Sequence, residues 1–359
     1  MQLEQIRRLA EERNQAIGRE YYPYGAGLKD SLDLASVHKR YADLSQRGII
    51  QTVMDALHAT EDATEKRQLA YLAGDCLEGY INIAVSALGD AVATAESKKT
   101  VTIEGKEYPF FQAAVLQANE GDLLKRLAIE TERVGVFRET NAKRMEQLNA
   151  MRKLIVDDLS YPGYTDFYSE IKQVDFRAFS GLMQQFMRDT DDLYANRLNE
   201  WTREELGVGP DQCYRHDISY MMRAVKYDPY FPEAKLKDTL LNTMSNLCID
   251  LPAQKNITLD LDKRPTKSPR AFMVGVQVPD EVYLVVQPRG GRDDYAALLH
   301  ETGHAEHFGN TNPALPYEFR WLGDYSVTEC FAFTMELLTL DGGWLKQHLN
   351  MAPDVIREY

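Results

Sequence analysis

Residues 293–307 read DDYAALLHETGHAEH, and the whole chain is best read outward from them. The apolar run Ala296-Ala297-Leu298-Leu299 followed by His300-Glu301-Thr302-Gly303-His304 is an HExxH. On a helix, residues four apart lie about 40° apart around the axis, so both imidazoles project from one face and can share one metal ion. Glu301 falls on the flank of that face, placed for a water on the metal rather than for the metal itself. The plain alternative is a pair of ordinary helix histidines beside a solvated glutamate. A rigid, apolar setting directly after strands and a glycine turn favours the metal reading. A glycine inside a helix costs about 1 kcal/mol against alanine, so Gly303 suggests that another backbone or side chain comes close there.

A catalytic zinc takes three protein ligands and keeps one position open. The third ligand is not a histidine six positions on, because Asn310 stands there and His307 replaces the glycine that such a turn needs. Glu329 is the candidate, near the start of the apolar segment SVTECFAFTMELLTL (326–340). A carboxylate in so apolar a helix needs a partner, which a metal would supply. Its other reading is a helix N-terminal charge favoured by the macrodipole. Two imidazoles and one carboxylate suit zinc, Zn2+, at one ion per chain. Weaker candidates surround this set. His307 could touch substrate or brace the site, and Asp293 and Glu336 could accept hydrogen bonds from the ligand imidazoles.

Ahead of the motif, AFMVGVQV (271–278) and EVYLVVQ (281–287) read as two short strands joined at Pro279-Asp280. The turn Pro288-Arg289-Gly290-Gly291 then leads to a helix starting near Asp293 or Asp294, with an aspartate as its N-cap. Residues 100–110, TVTIEGKEYPF, read as a hairpin turning at Glu104-Gly105-Lys106. Nearly everything else has helical periodicity, including 3–17, 34–95 and 111–155. Phe176, Phe179, Met183, Phe186, Leu193, Leu198 and Trp201 form an apolar stripe that is expected to be core. The fold class is mainly α, with a small β element before the HExxH helix. The helical pattern breaks at Tyr161-Pro162-Gly163, which suggests an N-terminal helical region, 1–160, and a catalytic region, 161–359.

Composition narrows the function classes. The 359 residues carry 41 Lys+Arg against 55 Asp+Glu, a net charge of −14, which disfavours nucleic acid and anionic membrane as partners. No apolar run reaches the length needed to span a bilayer. The charged opening MQLEQIRRLAEERNQAI lacks the apolar core of a secretion signal. Cys76, Cys213, Cys248 and Cys330 lie far apart with no CxxC pair, which fits reduced thiols and a cytoplasmic location.

His300-Glu301-x-Gly303-His304-Ala305-x-His307 followed by Glu329 resembles the M3 family of zinc oligopeptidases, the thimet oligopeptidase and oligoendopeptidase F group. PRAFMVGVQVPDEVYLVV (269–286) and Arg292-Asp293-Asp294-Tyr295 are similar to the segments that precede that family's motif. The resemblance runs from about 161 to 345. It implies a large helical, zincin-like body of two lobes around a channel that admits short peptides, with His300, His304 and Glu329 on zinc and Glu301 as general base. It also implies later helices bearing His and Tyr that hold the oxyanion, and these have no match before Tyr359. A further C-terminal segment or a second polypeptide is therefore expected to complete the site. Two other readings stay open. A helical zinc carboxypeptidase would need a cation for the substrate carboxylate, for which Arg270, Arg289 and Arg292 are available. A non-catalytic peptide-binding subunit would have no use for Glu301.

Overall fold

The computed structural model describes residues 1–29, 31–268 and 270–359; Pro269, which opens the 269–286 segment, lies outside them. In chain order the helices begin with α1 (Leu3–Gly25), α2 (Leu34–Arg40), α3 (Arg47–Ala59) and α4 (Ala63–Ser97). A hairpin follows, β1 (Thr100–Ile103) and β2 (Lys106–Pro109), then α5 (Phe110–Asn119), α6 (Leu123–Lys153), α7 (Tyr164–Ile171), α8 (Phe176–Leu206), α9 (Arg215–Arg223) and α10 (Leu236–Asn246). Three strands come next, β3 (Ile257–Asp260), β4 (Phe272–Gln277) and β5 (Glu281–Val285). The chain closes with α11 (Arg292–Gly309), α12 (Tyr317–Arg320), α13 (Tyr325–Glu336), α14 (Gly342–Leu349) and α15 (Pro353–Glu358). Among the described residues the fold is mainly helical, with few strands and no closed barrel. Among the described residues no helix is long and apolar enough to cross a membrane.

Contacts divide the chain into two compact units, one of residues 1–80 with 225–359 and one of 81–224. This division does not fall at Tyr161-Pro162-Gly163. That break is local, a wide turn at 154–158 ending α6 before α7 begins, and both helices lie in the same unit.

The first unit holds the HExxH. Its sheet has the order β3-β5-β4, with β3 parallel and β4 antiparallel to β5. The 271–287 strand pair is present as read, whereas β3 went unread because it pairs in parallel with β5 and no hairpin turn marks it in the sequence. Helix α1 lies on β4, with Tyr22 stacked on Tyr283 at 3.6 Å between ring centroids and Tyr21 edge-on to Phe272. The other close neighbour of β4 and β5 is α11, which buries Tyr295, Leu298 and Leu299. Helix α11 starts at Arg292, directly after Gly291 at φ +97°. A Cβ there would stand 2.5 Å from Oδ1 of Asp228, and the left-handed backbone itself favours glycine. Asp294 is not the N-cap. Its Oδ2 reaches back instead to accept the amides of Arg289 and Gly290, at 2.5 and 2.6 Å, and so fixes the turn that aims the helix.

The second unit packs α5, α6 and α9 around the hairpin, over a core of Val101, Phe110, Ala113, Ile129 and Val136. Fully buried Arg126 donates through Nε to Asp217 at 2.7 Å, lies 4.2 Å from the Tyr220 ring centroid and bonds the Glu120 carbonyl at 2.6 Å. Asp217 also accepts the Tyr214 amide at 2.9 Å, which ties the start of α9 to the same cluster. Asp217→Ala would strand the guanidinium without a counter-charge and is expected to cost about 3–5 kcal/mol, read as a lower urea midpoint. The stripe on α8 is not core. Phe179, Phe186 and Leu193 are about half to two-thirds exposed, and Phe176, Met183, Leu198 and Trp201 are only half-buried, because α8 packs mainly near its ends. Periodicity reports an apolar face but not what covers it.

Candidate metal centre

Helices α11 and α13 form the site, and their closeness depends on Gly303. A Cβ at this position would press on the Phe331 carbonyl oxygen and stand 2.6 Å from Cα of Ala332. The two backbones therefore nearly touch, which brings Glu329 opposite the histidines. Asp324 caps α13 by accepting the Ser326 amide at 2.8 Å, so Glu329 sits in the second turn.

Nε2 of His300 lies 3.6 Å from Oε2 of Glu329, and Nε2 of His304 lies 3.7 Å from Oε1. One ligand atom from each of the three residues falls within 4.8 Å of the other two, a triangle of the size that one small cation can bridge. The outward nitrogens are engaged elsewhere. Nδ1 of His300 is 2.8 Å from Oε2 of Glu336, and Nδ1 of His304 is 2.7 Å from the Thr328 hydroxyl. A hydrogen bond at Nδ1 to these oxygens leaves the Nε2 lone pairs facing Glu329, as a ligand pair requires. Burial also lowers the pKa of His304, which favours the neutral, ligating form. Two nitrogens and one oxygen so arranged fit zinc. Glu336→Gln is expected to weaken zinc affinity about 10–100-fold, measured by competition with a fluorescent chelator.

Glu301 points to the flank. Burial raises its pKa, the dominant cause, against the opposing influence of His300 and of the backbone amide of Met273 on β4. A carboxylate in a partly desolvated place is a stronger base than one in free solution. His307 stacks on Phe331, with centroids 4.5 Å apart and planes 6° from parallel, and its Nδ1 is buried without a partner among the described residues. Asp293 lies elsewhere. It sits in the first turn of α11, seven positions or about 10 Å of helix before His300, beside Arg292 at 3.5 Å.

Two contributors were invisible in the sequence, the Met273 amide and the Thr328 hydroxyl. The first is backbone, and the second is an unremarkable threonine beside Glu329. A third is the brace on the connection between the two site helices. Arg7 Nε donates to fully buried Glu318 at 2.6 Å, Arg320 reaches Glu11 and the Val278 carbonyl at 2.8 and 2.7 Å, and Asn14 bonds Tyr317. These contacts tie α12 to α1 and β4, so the spacing of α13 from α11 is set in part by the first helix of the chain.

Comparison with solved structures returns peptidases of this fold. The chain is similar to PZ peptidase A with inhibitor 2 (TM-score 0.59, 16% identity, 91% of this chain and 60% of that one). It is similar to an oligoendopeptidase F from Bacillus anthracis str. Ames (TM-score 0.55, 14% identity, 96% and 62%). A further oligoendopeptidase F gives a TM-score of 0.63 at 15% identity, with coverage of 99% and 66%. The chain thus spans three-fifths to two-thirds of the length of these structures. At such identities the likeness is one of fold. No family profile matches the sequence, and no curated protein does.

Proposed function

We propose that the chain is a zinc-dependent peptidase acting on short peptides, with His300, His304 and Glu329 as ligands and Glu301 as general base. The observation that carries this is the convergence of both Nε2 atoms on the Glu329 carboxylate, with a half-buried glutamate one residue from His300. The solved neighbours, all peptidases, support it at the level of fold. Zinc at this triangle would supply a Lewis acid that polarises a water and a scissile carbonyl. Glu301 takes the proton at its carboxylate and delivers it to the leaving amine. Glu336 and Thr328 hold the two imidazoles in orientation throughout. Strand β4, at the edge of its sheet and packed against the helix that carries Glu301, offers an extended peptide a place beside the base.

An oxyanion donor is not among the residues gathered here, and we assign it to a further segment or a second polypeptide. A cytoplasmic setting suits four free thiols, of which buried Cys76 has its pKa pushed up to about 12 by burial. The test is cleavage of a quenched-fluorescence peptide library with and without chelator. Cleavage that chelator stops and zinc restores supports the reading, and cleavage indifferent to chelator contradicts it.

A further inference from the structure

Beside the metal triangle lies a cavity of about 720 Å³, within the range of sites that bury small ligands. It begins next to the ligands, because Thr328, the partner of His304, and His307 are on its wall. Much of the lining is aromatic, with Tyr71, Phe319, Trp321 and Phe331 among it. Its charges are mostly engaged. Arg320 is taken up by Glu11 and two carbonyls, Glu306 by Gln254 and Asn310, and Asp324 by the first turn of α13. Arg67 on α4 is the exception. Among the described residues it has no hydrogen-bond or ion-pair partner, and it is exposed on the cavity wall.

On this basis we infer that the cavity is a substrate subsite that takes an aromatic side chain of the peptide and, at Arg67, a peptide carboxylate. The inference rests on the peptidase reading and deepens it. Charge complementarity supports it, since a chain of net charge −14 repels carboxylates in general and needs a local cation to hold one. A guanidinium is the side chain best matched to a carboxylate, through two parallel hydrogen bonds. The arginines considered from sequence do not offer this. Arg292 is held by the Tyr359 hydroxyl at 2.7 Å and by Asp293, and neither Arg270 nor Arg289 lines the cavity. Holding a carboxylate at Arg67 would direct cleavage to bonds near a peptide's C-terminus, or near an acidic residue on that side.

The test is a binding measurement on the zinc-loaded full chain carrying Glu301→Gln, which holds peptide without turning it over. Three fluorescein-labelled probes are compared by anisotropy: Ala-Ala-Phe-Phe with a free carboxylate, its C-terminal amide, and the amide of Ala-Ala-Phe-Glu. The free acid is expected to bind about tenfold tighter than its amide. Arg67→Ala should erase that difference, and Arg67→Lys should keep part of it. Tight binding of the glutamate probe assigns the site to a side-chain carboxylate, and weak binding assigns it to the terminal one. Equal affinity for all three probes, no binding, or a preference that survives Arg67→Ala would overturn the inference. Arg67 is on the surface, so the variants should fold, and a thermal melt checks this. Failure of the peptidase reading would show separately, as absence of cleavage by the chain that retains Glu301.

Discussion

Glu301→Gln is expected to lower peptide turnover about 10³-fold while leaving zinc affinity and peptide binding unchanged. The amide has nearly the shape of the carboxylate and removes only the proton acceptor. Glu301 is one residue from His300 yet outside the ligand triangle, so the metal should not register the change. Steady-state kinetics on a quenched peptide, paired with zinc titration, separates the cases. Turnover within a few-fold of the original chain would remove Glu301 from the mechanism. Lost turnover with lost zinc would make it a structural residue.

The second large effect belongs to a residue that touches no ligand. Gly303→Ala adds one methyl group where α11 meets α13, against backbone rather than against a side chain that could turn aside. Alanine would gain about 1 kcal/mol in helix propensity. Separating two packed helices costs more, and overpacking of this kind is expected to destabilise by about 1–3 kcal/mol net. Because Glu329 and the Glu336 brace are both on the displaced helix, zinc affinity should fall as well. Denaturant unfolding of the apo chain and zinc titration are the two readouts. A variant as stable as the original, with unaltered affinity, would show that the contact at Gly303 is not what sets the site.

What the sequence disclosed follows from how local each feature is. HExxH is a statement about one face of one helix, so the spacing alone was enough to place both imidazoles on one face with Glu301 on its flank. Glu329 could be named because an acid in an apolar helix calls for a partner, and Gly303 because a mid-helix glycine calls for a neighbour. The features that were missed depend on other elements. Thr328 and Met273 act only once α13 and β4 are folded against α11, and nothing in their types marks them. The stripe on α8 failed for the same reason in reverse, since its period was right and its cover was assumed. Asp294 shows the limit at short range, where one aspartate could cap its own helix or the turn before it, and it accepts the amides of Arg289 and Gly290 in the turn.

The most direct measurement is an anomalous difference map at the zinc absorption edge, from crystals of the chain prepared with zinc. One peak is expected, between Nε2 of His300, Nε2 of His304 and the Glu329 carboxylate, and Glu329→Ala should reduce it sharply. A zinc peak held by other residues, or an empty triangle in crystals that bind zinc elsewhere, would contradict the metal centre and the peptidase built on it.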